Sequence, residues 1–187
     1  MSRETIIQKA LVCIDEVSQG ADVYPVDNFV DETIRYVVDY LPIHRLGVGV
    51  ALDTSSFSVS HGVVSMPLPD DFGRLIYFKV EDWKRRAEII SEESPRYRQM
   101  SNKVLQGNPS RPIVAVCRNK GVLEAYTTKM KKEDATAEGT YMPYDAEIFT
   151  SYMEDVAAWK LAEIVLMAIS DVNNAQVCGA RVIELMQ

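Results

Sequence analysis

The N-terminal part of the chain carries apolar residues at helical spacing. Over residues 5–17 these residues recur every three or four positions, which predicts an amphipathic helix. A second stripe covers residues 30–41, where Asp27 or Asn28 could supply the helix cap and Pro42 ends the pattern. The sequence therefore predicts two helices at this end of the chain.

Helical spacing returns in the C-terminal part. A long apolar pattern runs from Ile148 to Ile169, with Asp145 as its expected cap, and a further helix is expected after Asp171. The apolar arc of the long helix is broad. We therefore expect it to make contacts on more than one side, with helices of its own chain or with a neighbouring copy.

Between these helices the pattern is typical of β-strands. Four segments are rich in β-branched and aromatic residues and are separated by turn residues: GVGVAL, SFSVS, VVSM and RLIYFKVEDW. A hairpin is predicted from PIVAVCR and VLEAYTT, which NKG joins. The polar stretch 91–112 predicts a loop with a helical turn near Pro95 to Asn102.

These patterns predict an α+β protein with a single domain, residues 1–187. Its four-helix frame, with two N-terminal and two C-terminal helices, would comprise residues 1–45 and 141–187, and a β-rich basic insertion would comprise residues 46–140. The composition, with 47% hydrophobic and 25% charged residues, excludes disorder as the dominant state.

Charge is distributed unevenly along the chain. The net charge is -7, yet residues 79–132 hold 13 Lys and Arg against 6 Asp and Glu, while the remainder holds 7 against 21. The acidic total argues against general affinity for nucleic acid, and the contrast makes the insertion a candidate for contact with a partner. The most apolar stretch contains Lys160 and Glu163, so no membrane-spanning segment is expected.

The sequence carries no convincing pattern for catalysis. His44 and His61 have no further His or Cys at ligand spacing, and the glycine motifs of nucleotide-binding folds do not occur. Asp70 and Asp71 fit a turn whose carboxylates accept from nearby backbone amides better than an acid–base pair. The three cysteines form no CxxC pair, which indicates a reducing compartment for synthesis. We expect no enzyme activity, no metal and no cofactor.

The basic cluster beside Trp83 allows three interpretations. Lys84, Arg85 and Arg86 could hold a nucleic-acid backbone while the indole stacks on a base, although a solvated strand end is commoner. In a ring of identical subunits the interface is heterologous, so a basic face of one copy can meet an acidic face of the next. The ring interpretation uses both parts of the charge contrast and is favoured.

Three segments resemble tailed-bacteriophage neck proteins: LPDDFGRLIYFKVEDWKR, SPRYRQMSNKVLQGNPSRPIVAV and the helix MEDVAAWKLAEIVLMAISD. The likeness is greatest to the ring, or head-to-tail adaptor, proteins of crAss-like phages that infect Bacteroidales. It extends from Val23 onward in the order of elements. Its motifs are a proline-flanked acidic turn before an aromatic strand, a proline-bounded loop and a terminal helix pair.

The resemblance implies a structural protein of the virion neck, made in the bacterial cytoplasm and acting without catalysis. Such proteins form rings of about twelve copies that dock on the portal and on other neck or tail proteins, with genomic DNA passing through the lumen and no membrane contact. The alternatives are a small ligand-binding or enzyme domain and a nucleic-acid-binding module. The candidate interface residues are Asp71, Arg74, Trp83, Arg85, Arg86 and Trp159.

Overall fold

The structure is a computed structural model that describes residues 2–18, 24–81, 83–126 and 136–187. Within these ranges two helices come first along the chain and two come last, and strands with one short helix lie between them. The predicted α+β class, with a four-helix frame and a β-rich centre, is confirmed.

The chain forms two compact units. The first, called the helical unit, combines Met1–Val48 with Met142–Gln187, and the second, called the β unit, comprises Gly49–Tyr141. The elements in chain order are α1 (Ser2–Val17), α2 (Val30–Tyr40), β1 (Val50–Ala51), β2 (Ser58–Ser60), β3 (Val63–Pro67), β4 (Phe72–Val80), β5 (Glu88–Ser91), α3 (Pro95–Arg98), β6 (Ile113–Cys117), β7 (Val122–Tyr126), β8 (Ala137–Pro143), α4 (Ser151–Ala168) and α5 (Val172–Met186).

Helix α4 organises the core of the helical unit, because it packs against α1, α2 and α5. Its side chains Met153, Leu161 and Leu166 are fully buried, as are Ile6 and Ile14 of α1. The broad apolar arc predicted for this helix is therefore covered on several sides by helices of its own chain.

The start of α2 differs from the prediction. A 3₁₀ turn, Val26–Phe29, precedes the helix, and Phe29 occupies the N-cap position without a side-chain hydrogen bond. The predicted caps Asp27 and Asn28 are wrong, because both residues lie inside this turn. The end of α2 follows the prediction, since the backbone before Pro42 is extended.

The two C-terminal helices have side-chain caps. Thr150 caps α4 by accepting a hydrogen bond from the backbone amide of Met153, so the predicted cap Asp145 is wrong. Asp145 instead accepts from the backbone amide of Glu147 and caps a 3₁₀ turn that precedes the helix. The predicted cap of α5, Asp171, is confirmed.

The β unit contains two sheets. The smaller sheet has the strand order β1-β8-β4, and the larger has the order β2-β3-β7-β6-β5. In the larger sheet β5 and β6 are parallel, and the other neighbouring strands are antiparallel. The predicted hairpin is β6 and β7, and Gly121 in its turn has a φ of 65°, a conformation that glycine adopts without steric cost. The end of the second predicted hairpin segment, Thr127 and Thr128, lies outside the described residues.

The larger sheet presents two faces because side chains alternate along each strand. On the first face, Val64 and Leu123 belong to one apolar cluster with Phe78 of the smaller sheet. On the second face, Tyr97 and Met100 from the segment that begins at α3 pack over the strands. The first face forms the larger core of the β unit, and the second forms a smaller apolar cluster beneath the α3 segment.

Two strands do not appear in the sequence prediction. Strand β5 has only four residues, EIIS, and its two adjacent isoleucines do not alternate with polar residues. Only Ile90 is buried. In β8 the residues Glu138 and Gly139 have low strand propensity. Gly139 is required there, since a Cβ at this position would lie 2.9 Å from the ring of Phe78. Pairing with neighbouring strands, rather than local pattern, creates both strands.

Candidate functional site

A groove of about 440 Å³ lies between α1, α4 and α5 of the helical unit. Its apolar lining includes Val12, Ala158, Trp159 and Leu185. Trp159 is half-buried and Val12 is 58% exposed, so apolar surface is open to solvent along the groove. Of the sequence-predicted interface residues, only Trp159 lies here. We call this groove the Trp159 groove.

Charged pairs border the Trp159 groove. Lys9 Nζ on α1 lies 2.7 Å from a carboxylate oxygen of Asp155 and 3.0 Å from one of Glu154, both on α4. On α5, Arg181 pairs with Glu184 at 2.5 Å. A tryptophan in an apolar centre with a polar rim is the usual composition of an interface hot spot. The groove can therefore receive an apolar side chain while the rim charges orient the partner.

The cysteines of the helical unit supply no reactive thiolate. Desolvation by burial raises the pKa of Cys13 to about 12 and that of Cys178 to about 11. Both thiols stay protonated at neutral pH, and they act as small core side chains.

Trp83 lies in the core of the β unit. Its side chain is only 4% exposed, and its ring meets that of Phe78 edge-on, with centroids 5.8 Å apart. The indole Nε1 has no hydrogen-bond partner among the described residues. This burial leaves no open ring face for a stacked base, so the indole contributes to packing within the β unit.

The turn before β4 forms where the sequence predicts it, but its carboxylate has a different partner. Asp71 accepts a hydrogen bond of 2.9 Å from the hydroxyl of Tyr141 on β8 rather than from a nearby backbone amide. Burial and this hydrogen bond raise the pKa of Tyr141 to about 12. Asp71 is exposed apart from this contact, and Arg74 is half-buried on β4. The contact ties the turn to the neighbouring strand.

The basic cluster after β4 is on the surface. Arg85 and Arg86 are both exposed. The guanidinium of Arg86 lies 5.9 Å from the ring centroid of Tyr77, whose hydroxyl donates to Glu138 at 2.9 Å. The structure therefore places Arg85, Arg86 and Asp71 on the surface of the β unit, whereas Trp83 is inside it.

A hydrogen-bonded cluster on the second face of the larger sheet is absent from the sequence prediction. Glu124 Oε2 accepts from the hydroxyls of Tyr97, at 2.9 Å, and Tyr126, at 2.7 Å. Glu124 Oε1 accepts from Lys120 Nζ at 3.0 Å, and the same ammonium donates to the Tyr97 hydroxyl at 2.6 Å. Alternation in VLEAY places Glu124 and Tyr126 on one face. No sequence signal brings Tyr97 to them.

The cluster holds its carboxylate in the ionised form. Burial alone would raise the pKa of Glu124, but hydrogen bonds from Tyr126, Lys120 and Tyr97 outweigh burial and keep this pKa below its usual value. Burial and then the hydrogen bond to Glu124 raise the pKa of Tyr126, so its hydroxyl remains a donor. The four side chains therefore form a fixed polar unit in the wall of the β unit.

Neither the described residues nor the comparisons with known proteins identify a metal site or a family. Among the described residues there is no group of three or more His, Cys, Asp or Glu side chains placed to hold a metal ion, and His44 and His61 are exposed. No helix in the described part of the chain is long and apolar enough to cross a membrane. A comparison with protein-family models and one with curated proteins found no match.

Proposed function

We propose that this protein is a structural subunit of a phage neck, a head-to-tail connector that assembles as a homo-oligomeric ring between the portal and the tail. It continues the DNA channel and performs no catalysis. The proposal combines the resemblance of three segments to phage ring proteins with a surface suited to association. The observation that carries it is the Trp159 groove, where a half-buried tryptophan lies in an apolar patch inside a charged rim.

The charges of the two units support contact between copies. The helical unit holds 15 acidic and 6 basic side chains, whereas the β unit holds 12 acidic and 14 basic ones. In a ring each subunit presents different faces to its two neighbours. An acidic helical unit of one copy attracts the exposed Arg85 and Arg86 of another, which favours one orientation over others.

The same acidity suits a channel that DNA must pass. Negative side chains repel the phosphate backbone, so a lumen lined by helical units would not hold DNA in place. A ring whose lumen is lined by basic side chains would contradict this part of the proposal.

The first experiment measures assembly by light scattering and negative-stain microscopy. We expect a ring of about twelve copies. Trp159→Ala should weaken association about thirtyfold, as truncation of a hot-spot tryptophan does. The matched control is Tyr40→Ala, which removes another aromatic side chain of the helical unit, 66% exposed and outside the groove. This control should assemble normally.

A second pair of variants tests the charge contact. Replacing both Arg85 and Arg86 by Glu should weaken assembly most at low salt, where unscreened charges contribute most. The control replaces both Lys103 and Arg111 by Glu, which reverses two other exposed basic side chains of the β unit. Equal loss in control and test would show that total charge, and not this contact, matters.

The phage assignment needs its own measurement. Mass spectrometry of purified phage particles should find the protein at about the copy number of a ring. Absence from particles, or a single copy, would overturn the neck assignment. A monomer at all concentrations would overturn self-association, and a monomer that binds DNA in a salt-sensitive manner would favour the nucleic-acid-binding alternative.

A further inference from the structure

The second face of the larger sheet holds a pocket that the proposed assembly does not use. Its volume is about 540 Å³, and small-molecule sites span about 300 to 1,000 Å³. Val63 of β3 and Glu124 and Tyr126 of β7 form its floor. Met100, from the segment after α3, lines one side. The pocket lies within the β unit, between a rigid sheet and a covering segment.

Basic side chains converge on this pocket from separate parts of the chain. Arg98 ends α3, Lys103 lies in the turn region that follows, and Lys120 lies in the β6–β7 turn. His61, in the turn between β2 and β3, also lines the pocket. The side chains of Arg98 and Lys103 have no ion pair within the described part of the chain and are exposed. Two cations are therefore available to a ligand.

Among the described residues that line the pocket, no acidic group is left to balance these cations. Among its described lining residues the one carboxylate is Glu124, and donors from Tyr97, Tyr126 and Lys120 occupy both of its oxygens. An ammonium has three N–H donors, and Lys120 uses two of them, on Glu124 and Tyr97. Its third donor is held in place by this network. Like charges at short range repel unless an anion lies between them.

The lining also has an apolar part. Val63, Met100 and the rings of Tyr97 and Tyr126 contribute carbon surface beside the basic groups. A pocket with apolar walls and a few fixed polar groups is the common design of a small-molecule site. A bare inorganic ion would leave this apolar surface unused.

We propose that this pocket binds a small organic anion with at least two negative charges beside a compact apolar group, such as an organic phosphate or an aromatic dicarboxylate. The anionic group bonds Arg98, Lys103 and the free donor of Lys120, and the apolar group packs against Met100 and Val63. This inference does not depend on ring assembly, because every residue that it uses lies in one β unit.

Isothermal titration calorimetry on the full chain tests the proposal with four probes. Phenyl phosphate and phthalate represent the two sources of anion, inorganic phosphate lacks the apolar group, and benzyl alcohol lacks the charge. We expect one site per chain for phenyl phosphate or phthalate, and the tighter of the two identifies the source. Inorganic phosphate should bind at least about tenfold more weakly, and benzyl alcohol should not compete.

Charge reversal at the pocket supplies the matched variants. Arg98→Glu and Lys103→Glu should each weaken binding of the tighter probe about tenfold or more, as loss of a charge-assisted hydrogen bond does. Lys84→Glu, an exposed basic residue that does not line the pocket, should leave affinity unchanged. Tyr97→Phe keeps the ring but removes the hydroxyl that holds Lys120, so it should weaken binding less than the charge reversals.

Thermal unfolding without ligand shows whether each variant is folded, and Lys103 lies in an exposed turn where substitution is tolerated. The proposal is overturned if neither anion binds saturably, if benzyl alcohol binds as well as the anions, or if Lys84→Glu weakens binding as much as Lys103→Glu. Assembly is measured separately by light scattering. A ring without anion binding therefore refutes only the pocket, and anion binding by a monomer refutes only the ring.

Discussion

The two units place their polar interactions differently. In the helical unit several ion pairs lie at the surface, as with Lys9 and Asp155, whose side chains are 34% and 53% exposed, although Lys160 and Glu163 pair at 17% and 27% exposure. In the β unit a carboxylate with 15% side-chain exposure, Glu124, accepts from Tyr97, Tyr126 and Lys120. Surface pairs contribute little to stability, whereas a partly buried network is costly to break. The Glu124 network is therefore a preorganised polar wall of the β unit, and we expect it to be more costly to break than an exposed pair such as Lys9–Asp155.

The largest expected effect is in the core of the β unit. Phe78→Ala removes a ring that is 1% exposed and contacts Trp83, so it should lower the free energy of unfolding by about 3–5 kcal/mol. Urea denaturation followed by Trp83 fluorescence in a Trp159→Phe background measures it. Phe57→Ala, which truncates a partly buried ring at the edge of the same cluster, is the control and should lose less. Equal losses would show that Phe78 does not lie at the centre of this core.

The second effect tests the network at Glu124. Glu124→Gln removes the charge that three donors stabilise, and it should lower the free energy of unfolding by about 1–3 kcal/mol at neutral pH. The control is Glu88→Gln, which neutralises an exposed carboxylate of the β unit and should have little effect. Urea denaturation of both variants supplies the comparison.

The pH dependence of this loss has a definite sign. The pKa of Glu124 in the folded protein lies below its usual value of 4.5. The network therefore contributes fully above pH 4.5, and its contribution disappears as the pH falls through the folded pKa. The difference between wild type and Glu124→Gln should narrow as the pH falls below 4.5. A difference that stays constant down to pH 3 would contradict the network as the source of the loss.

The helical unit could be predicted from local pattern, because helix formation and the buried stripe depend on residues three and four apart. Val30, Ile34 and Val37 are predicted as one face of α2 and are all buried. The cap of α4 was predicted wrongly because Asp145 and Thr150 are both good cap residues. Tertiary packing decides at which of them the helix begins.

In the β unit, features that depend on contacts between distant residues could not be predicted from the sequence. The β6–β7 hairpin follows from a local turn at Gly121, but β8 exists through pairing with distant strands. The polar cluster depends on contact between Tyr97 and Glu124, which are 27 residues apart. Trp159 could be proposed for the candidate site from residue type alone. The basic pocket could not, because its cations come from the α3 segment and from the β6–β7 turn, and no local pattern brings these together.

The cap of α4 provides a smaller effect in the helical unit. Thr150→Ala removes the side chain that accepts from the amide of Met153, and it should lower the free energy of unfolding by about 1 kcal/mol. Asp145→Ala is the matched control, because that residue caps only the preceding 3₁₀ turn. Chemical denaturation followed by circular dichroism compares the two. A larger loss for Asp145→Ala would restore the sequence prediction for the start of this helix.

The smallest effect concerns the rim of the Trp159 groove. Lys9→Gln keeps a long polar side chain but removes the charge that pairs with Glu154 and Asp155, and the partial exposure of these groups limits the cost to about 0.2–1 kcal/mol. The loss should shrink in high salt, because mobile ions screen exposed pairs.

If the proposed ring forms, the same variant should weaken assembly more than it weakens folding, since the rim charges orient the partner at the groove. Denaturation and light scattering at low and high salt separate the two. A large, salt-independent loss of folding stability would show that polar pairs in the helical unit contribute as much to the free energy of unfolding as the Glu124 network does. The contrast between the two units would then not hold.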